Sequence, residues 1–269
     1  MLLKRRDFLA GASACLLSTP ALALRGPHLD IDYLEGLTDN PALNRAHAYI
    51  PPSRIHEAYS HVVYVDAAFR GEGRQKMWVL ARKGAGWDLA VRDPGYWDAI
   101  TPTDAAYSWP VSTGRAYPGD RRSGPTIPGV FNIDERPARH RRGWGSPGMY
   151  KAIYYDLHYS SGRASGIAFH GTTRSLYRKL GTPDSHGCVR MRQANMDRFW
   201  GLIHPGGATG EQSPLWGEVP RYFASTPKSS FTARRGYVRD GTLLKDSAGN
   251  LRTKMGYTVL VNVFLTDAA

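Results

Sequence analysis

The residue types that could do chemistry are concentrated between His170 and Arg190, a segment that also holds His186 and Cys188. A thiol attacks well only as its thiolate, which a neighbouring imidazole can generate or stabilise. His170 ends a predicted strand and suits a base positioned on an adjacent strand. A spacing of two along a strand would place His186 and Cys188 on one face, which makes His186 a second candidate partner. The segment therefore predicts nucleophilic catalysis by Cys188.

The residues next to the cysteine suit acyl chemistry. Gly187 lets the backbone approach a substrate closely, and the N–H groups of Gly187 and Cys188 are candidate oxyanion-hole donors. Arg190 suits a carboxylate of the substrate, because its guanidinium presents several donors in a fixed geometry. Acyl transfer from a carboxylate-bearing substrate is the chemistry these types favour.

Two other interpretations remain open on residue types alone. Zinc could be bound by His170, His186 and Cys188, but this site needs a distant fourth ligand such as His140 or His158. Alternatively, Cys188 is a small buried residue beside core histidines.

The N-terminus predicts export. Arg5-Arg6 precede a short apolar run that ends at Ala21-Leu22-Ala23, which resembles a twin-arginine signal over residues 1–23 with cleavage near Ala23. The run is short for a membrane span, although an uncleaved anchor and a lipoprotein through Cys15 are alternatives. Cleavage removes Cys15, so the mature chain keeps one thiol and cannot form an internal disulfide. The expected location is the periplasm, with membrane contact only through the uncleaved signal.

The formal charge of +12 favours anionic partners. Export argues against nucleic acid, because a periplasmic protein rarely meets it. The basic residues are scattered, so most of them are expected to form an ordinary solvated surface.

The remaining pattern predicts a mainly β fold with a few short helices. Plentiful glycine and proline and short runs of β-branched and aromatic residues favour strands over a helical bundle. Residues 24–58 hold several prolines and predict an extended N-terminal arm. Helices are predicted over 174–180 and 193–203, and strands over 61–65, 76–80, 87–91, 107–112, 129–133, 151–159, 166–170 and 257–265.

The His170-Gly171-Thr172 segment and the run from Ser185 to Met191 together resemble the signature of the L,D-transpeptidase (YkuD-type) catalytic domain. Two upstream segments, 109–114 and 124–131, resemble the family's "P-V-S-T-G" and "T-P-x-G-x-F" elements. The resemblance implies a β-sandwich-like catalytic domain over residues 59–207. Residues 208–269 show no resemblance and predict a C-terminal extension, a β-hairpin and a strand packed on the domain, with turns at 240–241 and 248–250.

The resemblance also implies a role for each matching residue. Cys188 matches the acylated nucleophile and His170 its general base, oriented by the carbonyl of Gly171. His186 matches a histidine that shapes the oxyanion pocket, and Arg190 a substrate-binding position. Further substrate-binding residues are implied: Ser185, Tyr154 and Met149. Ser185 and Gly187 line the loop, and Met149 and Tyr150, or Tyr154, contribute to a flap over the thiol.

The implied reaction is cysteine acyl transfer between peptidoglycan stem peptides, which serves cell-wall biogenesis and cell shape and needs no metal or organic cofactor. A 3–3 cross-link is the default product and a 1–3 link is possible. An L,D-carboxypeptidase or amidase on the same scaffold, and an inactive wall-binding module, are alternatives. Family members are also expected to be carbapenem targets. The motif does not indicate an oligomeric state.

Overall fold

The computed structural model describes residues 27–40, 43, 49–71, 73–90, 108–134, 149–157, 164–222 and 243–267. The predicted export signal, the turn at 240–241, and His140 and His158 lie outside these residues. Two α-helices are described, α1 (Pro27–Gly36) and α2 (Gln193–Ile203). The strands are β1 (His61–Asp66), β2 (Lys76–Lys83), β3 (Gly86–Leu89), β4 (Trp109–Pro110), β5 (Gly129–Asn132), β6 (Tyr150–Tyr154), β7 (Ala168–Gly171), β8 (Val189–Met191), β9 (Trp216–Pro220), β10 (Thr253–Tyr257) and β11 (Val259–Phe264).

The largest sheet has six strands in the order β3-β2-β1-β11-β5, with β4 paired to β2. Its two central strands, β1 and β11, run parallel, with His61 opposite Val259 and Asp66 opposite Phe264. Both are almost continuous runs of buried residues. Such runs are typical of strands covered on both faces, and this sheet is covered on both faces.

One face of the large sheet packs against a smaller sheet of β6, β7 and β8. The period of two along each strand sends alternate side chains into the shared core. From the large sheet come Val63, Val65, Val79, Val261 and Val263, and from the small sheet and α2 come Ile153, Phe169, Val189, Met196 and Phe199. The mainly β, sandwich-like class predicted from the sequence is confirmed.

The other face is covered by the N-terminal segment, which the sequence predicted as extended. That prediction is wrong for Pro27–Gly36, which form α1. A proline at the first helical position needs no N–H partner and starts a helix rather than breaking it. Leu34 and Leu37 then lie one turn apart and are buried against the sheet. Asp30 accepts a hydrogen bond from Trp78 Nε1 of β2 at 2.9 Å.

The sequence predicted that residues 208–269 pack as an extension on a separate domain. In the structure, part of this segment is instead a strand within the large sheet. The hairpin with a turn at 248–250 is present between Lys245 and Leu251, and β9 pairs with β10 in a two-stranded sheet. The predicted final strand is β11, which is inserted between β1 and β5. A boundary after residue 207 would therefore remove a central strand of the large sheet. The 174–180 helix is a 3₁₀ helix over Arg174–Lys179.

Within the described ranges, no helix combines the length and apolar character that a membrane crossing requires.

Candidate active site

The base candidate, His170, lies in β7, whose four residues are all buried. Its side chain is 4% exposed, and its Nδ1 lies 3.0 Å from the carbonyl oxygen of Gly171. A carbonyl can only accept a hydrogen bond, so Nδ1 carries the proton and Nε2 keeps its lone pair. The Gly171 carbonyl thus lies within hydrogen-bonding distance of the imidazole that the resemblance implies it orients.

Burial determines the charge of this imidazole. It lowers the pKa of His170 to about 4, the hydrogen bond to Gly171 acts in the opposite direction, and the positive charge of Arg190 lowers the pKa further. A neutral ring at neutral pH can accept a proton. His170 therefore suits general-base chemistry better than a permanent imidazolium–thiolate pair.

Cys188 lies at the end of a loop, immediately before β8. The pairing of β7 with β8 is parallel, with Phe169 opposite Val189 and His170 opposite Arg190. Val189 points into the core, whereas Cys188 is half-buried and its Sγ lies 3.8 Å from the carbonyl oxygen of Gly166. Partial exposure does not fit the interpretation of Cys188 as a core packing residue.

An aromatic cluster around Tyr155 lies close enough to Cys188 to feel its charge. Tyr155 is fully buried, with its ring 5.5 Å from that of Phe131 and 4.8 Å from that of Phe169. Burial raises the pKa of Tyr155 well above its ordinary value, and the charge of Cys188 adds to this effect. The phenol therefore stays protonated.

Two hydroxyl groups brace the loop of residues 185–188, the cysteine loop. Ser185 accepts a hydrogen bond from the N–H of Gly187 at 3.0 Å and donates to the carbonyl of Cys188. Thr126 donates to the carbonyl of Gly187 at 2.8 Å. The φ of Gly187 is +140°, which favours glycine at this position.

Two predicted roles in this loop change. Ser185 is fully buried and its hydroxyl is used inside the loop, so the prediction that it binds substrate is wrong. The N–H of Gly187 already donates to Ser185, so in this conformation it does not serve as the second oxyanion donor. The Cys188 N–H is the other donor of the predicted pair.

His186 does not share a strand face with Cys188, contrary to the sequence argument, because β8 begins only at Val189. Its side chain is 55% exposed, and its Nε2 lies 3.2 Å from Asp120 Oδ2. Its ring stacks on Tyr117 at 4.7 Å. The structure thus places His186 on the outer rim.

The predicted substrate-binding arginine is anchored by Asp184. Arg190 Nη1 donates to the Asp184 carbonyl at 2.7 Å, and the Arg190 side chain is only 14% exposed. Arg115 Nη2 lies 3.3 Å from Asp184 Oδ1 and is more exposed. Of the two cations, Arg115 is the more accessible to a substrate carboxylate.

The predicted flap residues occupy β6 and its start. Tyr154 is opposite Ala168 of β7 and is 6% exposed, and the Tyr150 hydroxyl donates to Asp197 of α2 at 2.8 Å. Tyr154 is therefore part of the sheet rather than a mobile cover. Met149 is half-buried just before β6.

Within the described ranges, no three His, Cys, Asp or Glu side chains converge as metal ligands, and this includes the set of His170, His186 and Cys188.

The sequence argument missed three residues that organise the site: Gly114, Thr126 and Asp184. Gly114 and Thr126 stand in the two upstream motif segments, which was their only signal. Asp184 lies in a loop whose contacts depend on the fold, so no pattern marked it.

The family model for the L,D-transpeptidase catalytic domain (YkuD) matches residues 96–212. This segment is therefore similar to the L,D-transpeptidase catalytic domain family. It holds β4 to β8, α2 and both proposed partners, His170 and Cys188. The strands β1, β2, β3 and β11 lie outside the match, although β4 and β5 pair with two of them.

Solved structures similar to part of the chain include L,D-transpeptidases. L,D-transpeptidase 3 from Mycobacterium tuberculosis, in complex with a faropenem-derived adduct, is 16% identical, with 53% of this chain and 55% of that chain covered and a TM-score of 0.33. Bd1075 of Bdellovibrio bacteriovorus is 20% identical, with 54% and 44% covered and a TM-score of 0.32. The L,D-transpeptidase from Mycobacterium smegmatis is 15% identical, with 54% of both chains covered and a TM-score of 0.28. The chain spans about half the length of these proteins, and a comparison with curated proteins gave no match.

Gly114 should not tolerate a side chain. A Cβ at Gly114 would lie 2.2 Å from the Gly124 carbonyl oxygen and 2.5 Å from Gly187 Cα, which are backbone atoms that cannot rotate away. Gly114→Ala should displace the cysteine loop and reduce acylation of Cys188 by roughly 10²-fold, the usual cost of misplacing reacting groups by about 1 Å. Acylation can be followed by intact mass after exposure to a carbapenem.

The matched control is Gly124→Ala in the adjacent segment, where an added Cβ meets no atom within 4 Å. This variant should acylate like the parent protein. Equal acylation by both alanine variants would contradict the steric argument.

Proposed function

We propose that the chain is a peptidoglycan L,D-transpeptidase that uses Cys188 as its acylated nucleophile. The observation that carries the proposal is the juxtaposition of a half-exposed thiol and a buried neutral imidazole. Cys188 directly precedes β8, and His170 lies on the paired strand β7 with its Nδ1 held by Gly171. The family match of residues 96–212 supports the choice of acyl transfer to amines over other thiol chemistries.

In the proposed first half-reaction, Cys188 Sγ attacks the carbonyl carbon between the L-centre of the third stem residue and the terminal D-alanine. The thiol proton passes to His170 Nε2 while the carbonyl electron pair moves to the oxygen, where the Cys188 N–H stabilises the charge. When the intermediate collapses, the C–N bond breaks. The D-alanine nitrogen takes the proton from His170, which leaves a thioester.

In the second half-reaction, the acceptor amine of a neighbouring stem attacks the thioester and loses a proton to His170. The C–S bond then breaks, and Cys188 regains its proton. The default product is a 3–3 cross-link, and attack by water would give the carboxypeptidase reaction instead. Deeper burial makes Arg190 a brace for the loop, whereas the exposed Arg115 is available for a stem carboxylate.

Purified tetrapeptide-rich muropeptides, incubated with the mature protein and analysed by mass spectrometry, test this function. Cross-linked dimers with loss of D-alanine are the expected products. Tripeptides alone would indicate the hydrolase, and unchanged material would indicate an inactive wall-binding module. Fragmentation of the dimers distinguishes 3–3 from 1–3 links.

We also propose that the protein is exported to the periplasm through the signal at residues 1–23. Replacement of Arg5 and Arg6 by lysine should leave a full-length precursor in the cytoplasm, because a twin-arginine signal needs both arginines. Immunoblots of cell fractions give the measurement. Normal processing of the double variant would contradict this route while leaving another export route open.

A further inference from the structure

Thr126 lies between β4 and β5, 61 residues before Gly187 in the sequence, and contacts the cysteine loop. Its side chain is 1% exposed, and its Oγ1 makes two hydrogen bonds of 2.8 Å, one with the N–H of Gly114 and one with the carbonyl oxygen of Gly187. Gly114 can only donate through its N–H, so the single hydroxyl proton of Thr126 must go to Gly187. Both interactions are therefore fixed in direction.

The bond to Gly187 controls a group that is not itself in contact with Thr126. The Gly187 carbonyl and the Cys188 N–H belong to one planar peptide unit and, in the trans form, point in opposite directions. Holding the carbonyl toward the interior consequently aims the N–H the other way. The unit needs an external hold because Gly187, at a φ of +140°, has a wide choice of backbone conformations.

We infer that Thr126 is a positioning residue for acyl transfer: its hydroxyl fixes the Gly187–Cys188 peptide so that the Cys188 N–H is aimed at the developing oxyanion. This inference rests on the proposed acyl-enzyme function. It goes beyond that function because it assigns to a buried hydroxyl the orientation of the oxyanion donor. Because the Gly187 N–H already donates to Ser185, stabilisation of the oxyanion depends more strongly on the orientation of the Cys188 N–H.

The inference predicts that loss of the Thr126 hydroxyl affects two reactions of the Cys188 thiol differently. Acylation forms the Sγ–C bond, moves the carbonyl electrons to the oxygen and therefore needs the N–H donor. Alkylation by iodoacetamide displaces iodide at a saturated carbon and creates no oxyanion. Loss of the Thr126 hydroxyl should slow the first reaction and spare the second.

The test compares Thr126→Val with Thr126→Ser in the mature full-length protein. The acylating probe is p-nitrophenyl acetate, whose thioester formation releases p-nitrophenolate, and the alkylating probe is iodoacetamide. The valine variant should acylate about 10- to 10²-fold more slowly, somewhat less than the loss of a whole oxyanion donor. Its alkylation rate should stay within about twofold, and serine should restore acylation because it keeps the hydroxyl. Cys188→Ala provides the background for both probes.

Unchanged acylation by the valine variant, or an equal loss of both reactions, would overturn the inference, since the latter indicates a general disturbance of the thiol. If the valine variant does not fold, Thr126→Ala removes the hydroxyl without placing a methyl group against the Gly114 N–H and is judged by the same criteria. Neither probe contains peptidoglycan. A wild-type protein that is inactive on muropeptides would therefore contradict the proposed function while the role of Thr126 is still decided.

Discussion

Replacement of Cys188 by serine should abolish muropeptide cross-linking while leaving the fold intact. A serine hydroxyl is far less acidic than a thiol, so an imidazole positioned for a thiol activates it poorly, and removal of a catalytic nucleophile commonly costs 10⁴-fold or more. Cys188 is half-buried at a loop end, so the exchange of sulfur for oxygen removes little core packing. Melting temperature should change by only a few degrees, and product formation is followed by mass spectrometry.

Cys188→Ala is the companion variant, and it should show no adduct after treatment with a carbapenem. Cross-linking by the serine variant at a rate near that of the parent would contradict the mechanism. A large fall in melting temperature with activity retained in the folded fraction would instead indicate that Cys188 is a packing residue.

Replacement of His170 by alanine should reduce acyl transfer by about 10²- to 10⁴-fold, the usual cost of removing a general base. In the parent protein the acid limb of kcat/KM should lie near pH 4 rather than near 6.5, because burial lowers the pKa of His170 to about 4. The ring accepts a proton only in its neutral form, so activity should fall as the pH drops through this pKa. Rates measured between pH 3.5 and 8 give the profile.

Arg190→Ala offers an independent check on the pH profile. Arg190 lowers the pKa of His170 through its charge, so its removal should move the acid limb to higher pH.

The matched control for His170→Ala is His204→Ala, because this histidine is also buried, has a lowered pKa, and bonds a carbonyl through Nδ1 at 3.1 Å. It should cost stability without affecting the thiol. A comparable loss of acylation in both histidine variants would point to misfolding rather than to base catalysis.

The local sequence was sufficient to predict most strands and the chemical type of the site. Runs such as His61–Asp66 and Val259–Phe264 each have four valine, tyrosine or phenylalanine residues in six positions, a composition that favours a strand over a helix. The three-residue β8 was not predicted, because Val189–Met191 is too short to show a period. Helix α1 was missed because the prolines of residues 24–58 were interpreted as signs of an extended arm, although Pro27, the one proline in α1, is its first residue.

Pairing and hydrogen-bond direction could not be predicted from the sequence. No local pattern indicates that β11 lies between β1 and β5, because strand order depends on contacts between distant segments. Ser185 was assigned to the substrate by the family resemblance, and Gly187 to the oxyanion hole by its residue type. Whether a hydroxyl or an N–H faces a ligand or its own loop depends on the backbone path, which here turns Ser185 inward.

The position of β11 has a consequence for biogenesis. His61 pairs with Val259, so the partner of β1 is synthesised 259 − 61 = 198 residues later. At ordinary elongation rates of about 5 to 20 residues per second, β1 waits about 10 to 40 s for its neighbour. During that interval its hydrogen-bonding edge and its valines are exposed, which is the condition under which chaperones bind and strands mispair. The catalytic segment is thus complete on the ribosome well before the sheet that supports it can close, and a nascent chain should acquire a reactive, ordered thiol only after β11 has emerged.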